Sequence, residues 1–94
     1  MRPLIERLLH AERSRYQDSH PASSSAHARA LTRLPYGVGS SFQYFEPYPI
    51  TIDRARGPYA WDVDGNKYLD LNMGFGALLT GHLHPVVLDA VSAQ

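Results

Sequence analysis

Asp64-Gly65, set between two short runs of alternating apolar and polar residues, constrains this chain more than any other pair. Asp-Gly suits the positive φ angles of a tight turn between antiparallel strands. Ahead of it Tyr59, Trp61 and Val63 alternate with Ala60 and Asp62, the period of a strand with one buried face. Behind it Tyr68, Leu69 and Leu71 form a second strand, interrupted by Asp70. The expectation is a hairpin with Asp64, Gly65 and Asn66 at its tip.

Asp62, Asp64 and Asn66 stand at alternate positions, as at the start of an EF-hand calcium loop. With Asp62 in the first loop position, however, Lys67 falls where a glycine is required and Met73 where the bidentate glutamate belongs. The acids therefore read as turn residues of a solvated hairpin.

Beyond the hairpin Gly74, Gly76 and Gly81 punctuate Met73, Phe75, Ala77, Leu78 and Leu79. Such backbone turns sharply and approaches neighbours closely, and the stretch reads as buried and bent. It lacks the lysine and hydroxyl of a P-loop and the glycine spacing of a dinucleotide fingerprint. His82 and His84 flank Leu83, and such a pair holds a metal when a further ligand joins it. Asp89 is the only acid close by in sequence, so the preferred reading is that Pro85 opens a helix with His84 at its cap. That helix is expected over Pro85 to Ala93, with Val86, Val87, Leu88, Ala90 and Val91 as its apolar residues.

Upstream, Pro47 and Pro49 interrupt Tyr44, Phe45, Tyr48, Ile50 and Ile52 and forbid a helix between Phe42 and Arg56. Ile50 to Asp53 is expected as a third strand, joined to the hairpin through a turn at Gly57-Pro58. Leu34 to Ser41 is a small-residue loop in which Gly37, Gly39, Ser40 and Ser41 either serve as a connector or donate hydrogen bonds to a carboxylate or phosphate. Before it, Leu4, Ile5, Leu8, Leu9 and Ala11 form one helical stripe, Ser19-His20-Pro21 breaks the helix, and a second helix is expected from about Ser23 to Thr32. The stripe suits packing against another domain or a partner subunit.

Nine basic and nine acidic residues cancel, so no electrostatic field favours nucleic acid or anionic lipid. No apolar run approaches the length of a membrane span. The absence of cysteine fits a reducing compartment, and a cytoplasmic protein is expected. The order of elements in these 94 residues encloses no obvious core and reads as the beginning of something larger.

Pro35-Tyr36-Gly37-Val38, Pro47-Tyr48-Pro49-Ile50, Arg54-Ala55-Arg56-Gly57, the run from Trp61 to Asp70 and Gly81-His82-Leu83-His84-Pro85 together resemble the amino-terminal region of class III pyridoxal-phosphate-dependent aminotransferases. The branch most similar is that of glutamate-1-semialdehyde aminomutase and the β-amino-acid aminotransferases. The resemblance covers roughly Leu34 to Val91. It implies an α+β fragment, with amino-terminal helices and a small antiparallel sheet, of a fold type I α/β enzyme that is normally a homodimer. Residues 1–33 are then an amino-terminal helical segment, and residues 34–94 the first part of the aminotransferase domain, incomplete at Gln94.

The resemblance further implies pyridoxal 5'-phosphate as cofactor of the complete enzyme, with an amino donor and a keto acid as small-molecule substrates. It places Gly39, Ser40, Ser41 and Phe75 beside the substrate and assigns no catalytic, cofactor or metal residue here. The family's Schiff-base lysine lies far downstream, whereas Lys67, the only lysine, sits beside a hairpin tip as a solvated side chain. The chain alone is therefore expected to be inactive. Aminomutase loops often carry an arginine, which Ser40 to Gln43 lacks, and Phe75 stands where their pattern has tryptophan. The expectation is an aminotransferase, with an aminomutase as alternative and, from another class, a non-catalytic α+β module that binds a protein partner through the first helix and Phe42 to Tyr48.

Overall fold

A computed structural model describes all residues from Met1 to Gln94. They form two compact units, Met1–Thr51 and Ile52–Gln94.

The first unit opens with helix α1 (Arg2–Ser19) and helix α2 (Pro21–Ala30), hinged at His20, whose φ of −134° leaves the helical region. Pro21 accounts for the break, since the residue before a proline avoids helical angles. It also starts α2 two residues ahead of the expected Ser23, because a proline with no N–H loses nothing in the first turn. The corner is packed by rings: Tyr16 stacks on His20 with centroids 4.3 Å apart. The Tyr16 hydroxyl donates to the Tyr48 carbonyl at 2.7 Å, and the Ser23 hydroxyl accepts the Thr51 N–H at 2.9 Å. The proline-interrupted segment is thereby tied across the helix corner, with Tyr48 buried. Leu4, Ile5, Leu8 and Leu9 of the α1 stripe remain at least 50% exposed.

The second unit is a three-stranded antiparallel sheet in the order β1 (Ile52–Arg56), β2 (Tyr59–Asp62), β3 (Lys67–Leu69), followed by helix α3 (Pro85–Ser92). Strand β1 begins two residues later than the sequence suggests, since the Thr51 N–H is already used by Ser23 and pairing starts with Ile52 opposite Asp62. The register slips between Ile52 and Arg54, which brings Arg54 opposite Trp61 with its guanidinium 4.5 Å from the ring centroid. Strand β3 stops before Asp70 and does not reach Leu71. The Asp70 N–H still donates to the carbonyl of Pro58 opposite it at 2.8 Å, but a proline has no N–H to return the bond, so the ladder ends there and Leu71 is left on the surface.

The glycine-rich stretch is bent as expected but is not buried, for Leu71, Phe75 and Leu79 are among the most exposed side chains of the chain. Its return is set by Gly81, where a Cβ would lie 3.0 Å from the carbonyl carbon and oxygen of Gly57. Only glycine allows the two backbones to exchange hydrogen bonds there, Gly57 N–H to the His82 carbonyl and His82 N–H to the Gly57 carbonyl, each 2.9 Å. Tyr48 in the first unit and Ala60 in the second are the buried hydrophobic residues.

Candidate functional site

At the hairpin tip the carboxylate of Asp62 does the work of a framework. It is 2% exposed and accepts from the N–H groups of Asp64 (3.0 Å) and Asn66 (2.8 Å), the Asn66 amide (3.0 Å) and the Tyr68 hydroxyl (2.8 Å). Burial pushes its pKa up, but the bonds from Asn66, Tyr68 and Asp64 outweigh that and hold it below the usual carboxylate range. The expectation of solvated turn acids is thus corrected for Asp62: its side chain is a buried, satisfied anchor, and β2 ends there because the carboxylate gathers the turn's amides.

A second carboxylate organises the glycine-rich loop. Asp70 Oδ1 accepts the N–H groups of Asn72 and Met73, each at 2.9 Å, while Oδ2 lies 2.7 Å from His82 Nε2. The Met73 N–H and then the His82 ring lower the Asp70 pKa from its ordinary value, against a smaller opposing desolvation. The acid that meets one of the two histidines, His82, is therefore Asp70, twelve residues back, and not the sequence neighbour Asp89. His84 caps α3, as the helix-start reading holds. No group of three or more histidine or acidic side chains converges as a metal site would require.

Of the four residues that the family resemblance leads us to expect beside a substrate, Gly39, Ser40 and Ser41 lie in the first unit and Phe75 in the second. The first three line a groove of about 370 Å³ together with Leu34, Pro35, Tyr36 and Val38. Ser40 caps a single 3₁₀ turn, Ser41–Gln43, its N–H donating to the Gln43 side chain at 3.2 Å. The preceding turn depends on Gly37, whose φ is +70° and whose Cβ would fall 2.7 Å from the His27 ring. Phe75 sits in the glycine-rich loop, 80% exposed, with φ of 59°.

Lys67 lies on the open face of the sheet, its ammonium 3.9 Å from the Tyr59 ring centroid and 5.7 Å from that of Trp61. Its side chain is exposed, and it is the only lysine. The residues of this chain therefore do not fit the task of holding pyridoxal phosphate as a Schiff base.

The family model described as Aminotransferase class-III matches residues 42–94, more than half of the sequence. The chain belongs to the class III aminotransferase family. Glutamate-1-semialdehyde 2,1-aminomutase of Nitrosopumilus maritimus is 42% identical over 73 residues, which are 78% of this chain and 17% of that protein. The class III segment thus spans about a sixth of this curated relative. Its fold is also that of solved class III transaminases. The β-phenylalanine aminotransferase of Variovorax paradoxus superposes with a TM-score of 0.89 at 31% identity, over 95% of this chain and 21% of that one. A variant of the glutamate-1-semialdehyde aminomutase of Pseudomonas aeruginosa PAO1, solved with PMP, gives 0.84 at 29% identity, over 96% and 20%.

Sequence reasoning named the hairpin tip and the histidines of this aminotransferase segment but missed the two anchoring aspartates. For Asp62 the available signal was its place two residues before an Asp-Gly turn with a tyrosine six residues on. For Asp70 it was the aspartate and histidine that bracket the glycine-rich run.

Proposed function

We propose that this chain supplies the substrate-side, amino-terminal segment of a pyridoxal-phosphate-dependent aminotransferase, a cytoplasmic homodimer that moves an amino group between an amino acid or amine and a keto acid. The observation that carries this reading is the family match over residues 42–94, which takes in the hairpin, the Asp70 and His82 contact and Phe75. Pyridoxal phosphate is the cofactor of that family, and when bound it supplies the electron sink for breaking bonds at the amino-bearing carbon.

In this reading the residues of the chain bind and orient. Gly39 and Ser41 offer backbone N–H groups, and Ser40 and Ser41 their hydroxyls, to a substrate carboxylate, and the exposed ring of Phe75 packs on the substrate's side chain. The Schiff-base amine comes from elsewhere in the polypeptide, because Lys67 is solvent-facing and uncaged. By itself the chain does not transaminate.

An aminomutase is the second reading, favoured by the 42% identity to the Nitrosopumilus maritimus protein. The lack of arginine between Ser40 and Gln43 and the phenylalanine at position 75 favour the aminotransferase. A chimera separates them. This chain replaces the superposable part of the Variovorax paradoxus enzyme, and pyridoxal phosphate absorbance reports assembly. Transfer from β-phenylalanine to a keto acid is expected. Cofactor bound without transfer counts against the proposal, and isomerisation of glutamate-1-semialdehyde without transfer favours the aminomutase.

A further inference from the structure

Between Asp70 and His84 the backbone adopts angles that side chains resist. Met73, Gly74, Phe75 and Gly76 are four successive left-handed residues, with φ of 50°, 62°, 59° and 86°, and Leu83 follows at 53°. Three of these five carry large side chains. Such a run persists only where surrounding bonds over-determine it, and strain of this kind clusters where a site needs a group presented in one pose.

The over-determination here has a clear source. Asp70 N–H is held by the Pro58 carbonyl, and His82 exchanges backbone hydrogen bonds with Gly57. Both ends of the loop are therefore fixed on one turn, Gly57-Pro58. Across them His82 Nε2 meets Asp70 Oδ2 at 2.7 Å, while Oδ1 holds the Asn72 and Met73 amides. Asn72 Oδ1 in turn accepts the Phe75 N–H at 2.5 Å. The chain of contacts runs from His82 through Asp70 and Asn72 to Phe75, and what it presents is an aromatic ring that is 80% exposed.

We propose that Asp70 and His82 are positioning residues: their contact locks the left-handed run and so fixes where Phe75 stands against the substrate. The substrate half of this statement rests on the role given to Phe75 above. The clasp itself does not.

The test uses the full chain labelled with nitrogen-15, in wild-type form and as H82F, D70A, H82Q and H82N. Amide hydrogen exchange is read at Met73 and Phe75, with the β2 amides and Trp61 fluorescence reporting the hairpin. H82F and D70A are expected to speed exchange at Phe75 by about tenfold, the scale of one lost hydrogen bond, while the β2 amides keep their rates. Unchanged exchange at Phe75 in both overturns the proposal. Should either variant lose the hairpin, the isosteric pair decides. Glutamine carries its N–H where Nε2 stood and asparagine does not reach, so H82Q should keep the slow rate and H82N should not. Equal rates overturn the clasp. In the chimera, H82F is expected to raise the KM for β-phenylalanine about tenfold with a smaller change in kcat, and F75A to do the same with no further loss in the double variant. An unchanged KM overturns the positioning role. A chimera inactive even with this chain intact counts against the proposed function alone, because exchange is measured on the chain itself.

Discussion

The phenol of Tyr68 donates to the carboxylate of Asp62 at 2.8 Å, across the inside of a hairpin whose tip holds this acid 2% exposed. The charge is tolerated because four donors converge on it. Removing a donor and removing the acceptor should therefore differ. Y68F deletes one of the donors and is expected to cost about 1 kcal/mol. D62A strands the Asp64 and Asn66 amides together and should cost about 2–4 kcal/mol. Urea unfolding followed by Trp61, the single tryptophan, measures both. Equal losses would show that Asp62 is not the anchor.

Acid should loosen the second unit first. Asp62 and Asp70 both have pKa values below the ordinary carboxylate value in the folded chain. A lowered folded pKa means that the unfolded chain takes up the proton more readily. The stability these groups contribute is therefore complete above the unfolded value of about 3.9 and is lost as pH falls through the folded values. Carboxyl carbon-13 titration of the two side chains checks the direction. A midpoint above the ordinary value for either would contradict it.

Lys67 should be chemically unremarkable. Mixing the chain with pyridoxal phosphate is expected to give no saturable Schiff-base absorbance that K67A abolishes, because the side chain is exposed and packed over Tyr59. A strong Lys67-dependent band would sink the claim that the reactive amine lies elsewhere.

Ser23 is fully buried, and its hydroxyl receives the Thr51 N–H at 2.9 Å. S23A should leave that amide without its partner and destabilise the first unit by about 1–3 kcal/mol, with exchange at Thr51 accelerated. Unaltered exchange would mean that the hydroxyl does not hold the segment.

G81A should be the most damaging of the glycine substitutions in the second unit. It combines φ of +83° with a Cβ 3.0 Å from Gly57 backbone, whereas G65A at the hairpin tip meets only the backbone angle. Comparing the two by Trp61-monitored unfolding separates the clash from the torsional cost.

The elements most legible in the sequence were those written in local chemistry. Asp64-Gly65 announced the hairpin, Pro21 and Pro85 the helix boundaries, and Pro47 and Pro49 the extended crossing. What escaped was decided by partners far along the chain. Strand β1 shifted because Ser23 claims the Thr51 amide, and β3 ends early because Pro58, opposite Asp70, has no N–H to return the Asp70 hydrogen bond. The glycine-rich run looked buried because its residues are apolar, yet burial depends on what lies opposite, which periodicity does not encode. The same limit hid the Asp70 and His82 contact: a carboxylate and an imidazole twelve residues apart meet only once the loop between them has closed.

Burial of Tyr48 and Ala60 alone among the hydrophobic residues bears on how this chain answers temperature. The heat capacity released on unfolding comes mainly from apolar surface meeting water, about 12–15 cal/mol/K per residue in proteins of ordinary interior. With few side chains fully enclosed, the increment here is expected at or below the lower end of that range. The stability curve is then expected to be shallower around its summit. Cooling then weakens this chain little, and warming unfolds it over a broad span, since hydrogen bonds and stacked rings give way gradually where an oily interior would fail at once.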